Sequence, residues 1–599
     1  MQDDNAGEES DKISEERVLP AEGSPIEEGG VVGSAEPHPR RWWVLAVMGL
    51  GVFMVFLDSA IVNTALPAIS RDLGASTSTL QWVVNAYILM LAGLLLVGGT
   101  VGDRFGRRRW LGIGMVVFAA AAGAASLSPN AETLIAFRAI QGVGAAFILP
   151  ATLSIITDVF PREERSKAIG IWTALGSIGF IAGPALGGVL VDAINWQAVF
   201  WMHLPIAALT LVGLRLVPES RDSRRLPLDI SGAILGTGGL IALVFGIIQG
   251  PDVGWTSPEI LGAFVLAAVA LGAFFTVEVR SSTPMLPMRF FKQADFTGPL
   301  LVIGLMFLAL IGMFFFLTLY FQLVQGNSAF RAGLFILPAA ATVMVGAPIA
   351  GLLTKRFGPR IFAIIGALAM MLGMLWLAQL DVDSSYLTVV IGLVAFGLGV
   401  GLAMAPMTDT VMAAVPVNLA GIGSATNDVS RELGSALGIA ILGSVVNTLY
   451  QGDVQNALEG AGVSAAVVDT VSEGIGVAVI TAGGLAAASP ELAATITDAA
   501  NIAFVDAITT VFYVGAGFVG AAVLFALTLV PRKMRAQQAV LETPTDAPEE
   551  AGPATLPEPV SSAVARAFFL ACAAAGGRVV GQGRCLCQPS PDPESVGVD

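Results

Sequence analysis

Two ionisable residues stand where so apolar a chain is expected to have none. Asp58 interrupts an uncharged run that begins at Trp42. At ~1.5 Å per residue it lies about 24 Å along a helix starting there. Arg138 is six residues into a second apolar run, expected as a helix over 132–156. That places it roughly 9 Å below the opposite membrane surface. If the two helices enter from opposite sides, acid and guanidinium share a depth and can pair. A carboxylate inside a membrane is costly to keep charged, so it must face the interior and either pair or hold a proton. The chemistry on offer is reversible proton binding at Asp58, tuned by Arg138. A structural ion pair or a hydrogen-bonded lock between helices is the other reading of the same residues.

Three further groups have suggestive spacing. A short loop carries Gly99, Gly102, Asp103, Arg104, Gly106, Arg107, Arg108 and Arg109 between two uncharged runs. Its arginines mark the cytoplasmic side by the positive-inside rule. Its glycines allow close approach and a sharp turn, and Asp103 can bond the surrounding cations. A degenerate copy with Lys355, Arg356, Gly358 and Arg360 lies at 351–360. A second group, 138–146, holds Arg138, Gln141, Gly142 and Gly144. The third, Gly179, Gly183, Pro184, Gly187 and Gly188, repeats small residues at three- and four-residue intervals, with a proline that bends the helix. Close packing is the plain reading, and a proton-tight seal between helices the sharper one. Arg431 and Glu432 read as snorkelling interface charges, with a second titratable cluster as the alternative, and Asp409 reads the same way. His203 reads as a polar residue satisfied by a neighbouring helix. Gln81, Trp82, Asn85, Phe147, Tyr320 and Gln322 suggest an apolar, aromatic substrate cavity with a few hydrogen-bonding groups.

Other chemistries lack their residues. No lysine follows the glycines that a phosphate-binding loop needs, so ATP drive within this chain is not expected. No His-Glu-x-x-His zinc signature and no nucleophile elbow on a soluble domain is present. Cys572, Cys585 and Cys587 all lie near the C-terminus. Cys585 and Cys587 without a nearby histidine read as incidental, and no metal or cofactor is expected. No nucleic-acid signature occurs. An ion gradient must supply the energy, or the protein is passive.

The elements that would position these residues are membrane helices. The chain of 599 residues is 55% hydrophobic and 13% charged, with mean hydropathy +0.76; soluble proteins carry about a quarter charged residues. Uncharged runs of about twenty residues indicate an all-α polytopic membrane protein rather than a barrel. Fourteen helices are expected, near 42–66, 80–100, 110–128, 132–156, 167–191, 198–217, 229–250, 259–279, 297–324, 332–354, 360–380, 386–412, 426–448 and 505–530. Nearly all Lys and Arg near the membrane then fall on one side, with only Arg71 and Arg331 on the other. Such a bias strongly supports an even number of spans with both termini cytoplasmic. The repeated basic hinge implies two six-helix bundles, 40–217 and 297–530, with a linker and two inserted helices over 218–296. Transporters built from two such halves bind substrate between them. The net charge of −15 says little about partners, because acids concentrate in the tails and one loop. Residues 1–39 read as a disordered acidic tail, 531–599 as a disordered C-terminal tail, and 450–503 as a flexible external loop without Lys or Arg.

The motifs together carry a resemblance. Residues 99–109 resemble the loop 2–3 motif of the major facilitator superfamily, 138–146 its helix-4 motif, 179–188 the helix-5 antiporter motif and 57–67 the helix-1 signature of its fourteen-helix drug:proton antiporter family. The resemblance spans about residues 40–535. It implies the major facilitator fold and export of lipophilic small molecules, often drugs or antibiotics, in exchange for protons, by a multidrug efflux transporter acting as a monomer. It puts Asp58 and Arg138 on the proton path and makes Asp103, Arg104 and Arg107 a cytoplasmic latch. Departures are Ala60 in place of threonine, Gln197 and His203 in place of arginine and asparagine, and Lys355 in place of an acid in the second hinge. An ion-coupled importer or facilitator of the same fold is the first rival. A membrane-bound enzyme or scaffold is the second, and it lacks a catalytic constellation. Scarce lysine beside abundant Arg, Ala and Gly points to a GC-rich bacterial genome, hence to the cell membrane.

Overall fold

The computed structural model describes residues 39–221, 229–281, 284, 288–415, 420–533, 578–580 and 584–586. The expected N-terminal tail, 1–38 of it, and nearly all of the expected C-terminal tail lie outside the described residues. Within the latter, Arg578–Val580 and Arg584–Leu586 pair as two short antiparallel strands.

The rest is helical. The long helices are α1 (Arg41–Leu73), α2 (Thr77–Phe105), α3 (Arg107–Ala125), α4 (Ala131–Val159), α5 (Arg162–Ala193), α6 (Ala198–Leu216, broken at Met202) and α7 (Ile230–Val253). They continue with α8 (Pro258–Arg280), α9 (Ala294–Val324), α10 (Ala329–Phe357), α11 (Pro359–Leu377), α12 (Tyr386–Ala413), α13 (Ala420–Gly460) and α14 (Pro490–Thr528). Among the described residues, thirteen are long and apolar enough to cross a membrane. The remaining one, α3, has 19 residues, about 28 Å of helix. Its three leading arginines lower its apolarity, and from Trp110 onward it carries no charge.

The two ends of the bundle are built differently. Five of the seven long helices that begin at the end remote from the basic loops (the far end) open with side-chain caps. Ser76, Asn130, Ser257, Ser328 and Ser385 each accept from a backbone N–H three residues on, satisfying donors that a helix start leaves orphaned. At the basic end the α2–α3 and α10–α11 turns are single glycines, Gly106 at φ +119° and Gly358 at φ +84°, in a region that only glycine enters freely. The packing repeats likewise: α1 on α5, α2 on α4 and α3 on α4 in the first half match α9 on α13, α10 on α12 and α11 on α12 in the second. The inserted pair α7–α8 packs on itself, and α7 rests against α2 of one half and α13 of the other.

The expected external loop 450–503 is folded, which corrects its reading as flexible. Tyr450, Val454 and Leu458 continue the buried stripe of α13 to Gly460. Two helices, Ala465–Ser472 and Ile475–Leu485, follow, and α14 starts at Pro490 rather than near 505. Tyr450 donates to the carbonyl of Val471 (3.2 Å), and Thr77 N–H to that of Glu473 (3.3 Å), so this segment caps the far ends of α1 and α2. The four-residue apolar spacing was readable; low charge and many small residues disguised it.

The halves meet along α2–α13 and α5–α10. Asp192 at the end of α5 accepts from the N–H of Ala329 (3.0 Å) and of Phe330 (2.9 Å) at the start of α10, where a negative charge suits the helix dipole. Gln322 donates to the Thr64 carbonyl at 3.0 Å. Gly188 lies against Phe330, and Gly333 against the Pro184 carbonyl, so close that a Cβ on either would collide with backbone. All of these ties are at the far end. Replacing Gly188 with leucine should therefore force α5 and α10 apart there. Spin labels at positions 194 and 331 should report a longer mean distance than in the parent protein, by a few Å, roughly the width of the added side chain.

Candidate functional site

Asp58, Arg138, Gln141 and His203 form one buried cluster, drawn from α1, α4 and α6. Arg138 Nη1 donates to Asp58 Oδ2 at 2.7 Å and is 2.8 Å from Gln141 Oε1. Gln141 Nε2 donates to Asp58 Oδ1 at 2.8 Å. Arg138 Nε donates to the Val83 carbonyl of α2 at 3.1 Å, and its guanidinium lies 4.3 Å from the centre of the Tyr87 ring. His203 Nε2 stands 3.5 Å from Asp58 Oδ1. Relative exposure is 0% for Asp58, Gln141 and His203 and 1% for Arg138.

The chain brings them together by simple means. Arg138 and Gln141 are three apart on α4, hence on one face. Small residues let α5 press on α1: a Cβ on Gly179 would stand 2.5 Å from the Phe53 carbonyl, one on Gly183 2.6 Å from the Ala60 side chain, and one on Gly187 2.7 Å from Ile61. That contact leaves the Asp58 face of α1 to α4 and α6. The expected Asp58–Arg138 pairing is what the structure places here. Gln141 was visible in the sequence but had no partner assigned, and the Val83 carbonyl has no signature in a sequence. His203 needs a correction: it meets the acid itself, not merely a polar neighbour on another helix.

At the basic end Arg107 Nε donates to Asp103 at 2.7 Å and Nη1 pairs with Asp158 at the end of α4. Arg108 reaches the Val217 carbonyl (3.1 Å) and Glu219 (backbone N–H, 3.1 Å) beyond α6. Arg104, expected as part of this latch, lies instead over the Phe105 ring. Gly106 supplies the turn, Gly102 faces open space, and Gly99 meets only Pro150 at 3.4 Å; the tightest approach is at Gly98, against the Ala146 carbonyl.

The expected cavity residues are dispersed. Trp82 packs toward Phe245 of α7, Phe147 against Trp110 of α3, and the Tyr320 hydroxyl donates to the Asp381 carbonyl. Gln322 belongs to the far-end seam. Gln81 and Asn85, one turn apart on α2, remain: both are fully buried with both amide atoms unpartnered, and Gln81 faces Gly443 of α13 across the seam. Arg431 corrects another expectation. Its guanidinium lies over Phe56 of α1 (5.5 Å) and Phe307 of α9 (4.8 Å), between the halves, and Nη1 is 3.4 Å from Asp428 Oδ1.

One tie had no sequence signal. Asp252, at the far end of inserted helix α7, accepts from Ser78 of α2 (2.5 Å) and from Asn447 (2.6 Å) and Gln451 (2.8 Å) of α13. Among the described residues no group of three or more His, Cys, Asp or Glu is arranged to hold a metal ion.

Comparison with known proteins identifies this architecture. Residues 48–439 match the model of the Major Facilitator Superfamily. The chain belongs to the Major Facilitator Superfamily. It is a multi-pass membrane transporter of small molecules, not an enzyme. Multidrug resistance protein Stp of Mycobacterium tuberculosis is 39% identical over 70% of this chain and 78% of its own length. Puromycin resistance protein pur8 of Streptomyces alboniger is 37% identical, covering 77% and 92%. Multidrug efflux pump LfrA of Mycolicibacterium smegmatis is 34% identical, covering 82% and 97%. Among solved structures, a bacterial homologue of the lysosomal transporter Spinster, inward-facing and unoccupied, aligns with TM-score 0.58 at 19% identity, over 82% of this chain and 98% of that one. At that identity it supports the fold alone.

Removing one partner of a buried pair costs about 3–5 kcal/mol, because the other charge is stranded. Arg138→Gln should accordingly destabilise the purified protein more than Gln141→Leu, which costs about 1–3 kcal/mol for an orphaned acceptor; thermal unfolding in detergent gives the order. Asp252→Ala should loosen the far end. Alkylation of a cysteine placed at Gln81, in a background lacking Cys572, Cys585 and Cys587, should accelerate at least about tenfold for each 1.4 kcal/mol of closure lost.

Proposed function

We propose that this transporter is a proton-driven exporter of lipophilic small molecules, drugs or antibiotics among them, in a bacterial cell membrane, working as a monomer and using no cofactor but the proton gradient. The observation that carries the reading is the Asp58–Arg138–Gln141 network. An acid fully withdrawn from water is held by two hydrogen bonds, one from the Arg138 guanidinium and one from the Gln141 amide. Intramembrane acids of this kind are retained for transport or proton relay. The resistance and efflux names of the relatives support drug-like cargo.

With the basic end cytoplasmic, as loop charges favour, the ties at Asp192, Gln322 and Asp252 close the outer face. Substrate then enters from the cell interior or inner leaflet. Coupling requires that the proton affinity of Asp58 differ between the two states, each unit of difference being worth about 1.4 kcal/mol. A swing of the halves changes what surrounds Asp58 and so supplies that difference. Gln81 and Asn85, with unpaired amides at the seam, are the polar groups offered to cargo. Asp103 and Arg107 tie the helix ends of the first half together as the cytoplasmic latch.

Inverted membrane vesicles test this. An imposed inward-acid gradient should drive uptake of a lipophilic fluorescent cation by the parent protein, against its own concentration gradient. Asp58→Asn should abolish uphill movement, leaving at most downhill exchange. Uphill transport by Asp58→Asn would overturn the reading, and movement with the proton rather than against it would make the protein an importer.

A further inference from the structure

His203 is the part of the cluster that neither packing nor the Asp58–Arg138 pair explains. Its Nδ1 lies 3.2 Å from the carbonyl oxygen of Phe200. A carbonyl only accepts, so Nδ1 carries the hydrogen and donates it. A neutral imidazole has one such hydrogen, which leaves Nε2 a lone pair. That lone pair faces Asp58 Oδ1 at 3.5 Å, and Nε2 has no hydrogen-bond partner although the ring is fully buried. An ionised carboxylate is also acceptor-only. Two acceptors therefore confront each other where an unmade hydrogen bond is most costly. One added proton turns the confrontation into a bond, and a small tilt of the ring brings it within reach.

The side chains bonded directly to the acid offer no other home for that proton. From α4, Arg138 is permanently cationic and already bonded to Oδ2, and Gln141 donates to Oδ1. From α2, the Tyr87 ring lies under the guanidinium, 4.3 Å from it. From α3 the Phe118 ring stands edge-on to the imidazole, 5.5 Å between centroids. With Arg138 balancing Asp58, the cluster is neutral without the extra proton and carries one positive charge with it.

We propose that Asp58 and His203 hold the exchanged proton jointly, between Oδ1 and Nε2, so that the coupling site of this chain is a carboxylate–imidazole pair neutralised by Arg138 rather than a lone acid. The proposal rests on the proton-exchange reading above. The proton comes from water on the side to which the site opens, forming an O–H or N–H bond. That bond breaks when the proton leaves to water on the other side, and nothing else is made or broken. At position 203 the resemblance leads one to expect asparagine, which cannot take up a proton, so the device belongs to this chain.

The chain has two histidines, His38 and His203. His38→Gln leaves His203 as the only ring to observe by nitrogen NMR of the full-length, histidine-labelled protein in lipid nanodiscs. Nδ1 should read as protonated throughout. Nε2 should pass from lone pair to protonated in one step as pH falls from 9 to 5, and Asp58→Asn should move that step by about one unit or more. An Nε2 that never changes state, or a step indifferent to Asp58→Asn, overturns the proposal. A second arm compares vesicle transport in His203→Asn and His203→Gln with the parent. Loss or displacement of the pH profile in both, with folding intact by thermal unfolding, is expected. An unmoved profile in either, alongside a dead Asp58→Asn, rejects the joint site but keeps the lone-acid reading. Uphill transport by Asp58→Asn rejects the exchange reading whatever the NMR shows.

Discussion

A carboxylate withdrawn from water inside a membrane has to be answered by its neighbours, and most of the first half of this transporter is arranged to answer Asp58. Its charge is met by a guanidinium that is itself held by a backbone carbonyl and an aromatic face. Burying such a pair is worthwhile only when the remaining lone pairs and N–H groups are also used. Gln141 does this by bonding both partners. Four helices must stay in register to within a fraction of an ångström for that network to exist. The glycine stripe of α5 gives that register, by bringing α1 to a fixed distance and leaving its acidic face to α4 and α6.

The two ends of the molecule divide the remaining work. Side-chain caps terminate five of the seven helices that begin at the far end, and helix tips there interlock across the seam. The basic end instead turns on glycines and is tied by ion pairs that stay within one half: Arg107 with Asp103 and Asp158, Arg41 with Glu164. Ion pairs near the surface, even part-buried ones such as these, are individually modest, which suits an end that opens and closes. Backbone-to-backbone contact at glycine, as between Gly333 and Pro184, is all-or-none, which suits a seal.

Much of this was legible in the chain before any coordinates. Uncharged runs and loop charges foretold the membrane helices, because lipid permits little else. The Asp58–Arg138 pairing followed from depth alone, since two helices of opposite direction bring residues at matching depth together. What escaped was decided by side-chain direction. Trp82 and Phe147 lie on helices evident from the sequence but turn toward α7 and α3, and period alone cannot say which neighbour a face meets. The segment after Tyr450 escaped because small apolar residues serve loops and tightly packed helices equally. His203 escaped because a single polar residue near a helix break has no pattern; only the fold puts its ring against an acid from a helix far away in sequence.

The inserted helix α7 is commonly the kind of element one would set aside as a spacer, yet its Asp252 is stitched to Ser78 on one side of the seam and to Asn447 and Gln451 on the other. A strap fastened to both leaves of a door cannot ride with both when they part. A parting of the two leaves at the far end unfastens Asp252 from one of them, so the insertion sets a threshold for that movement.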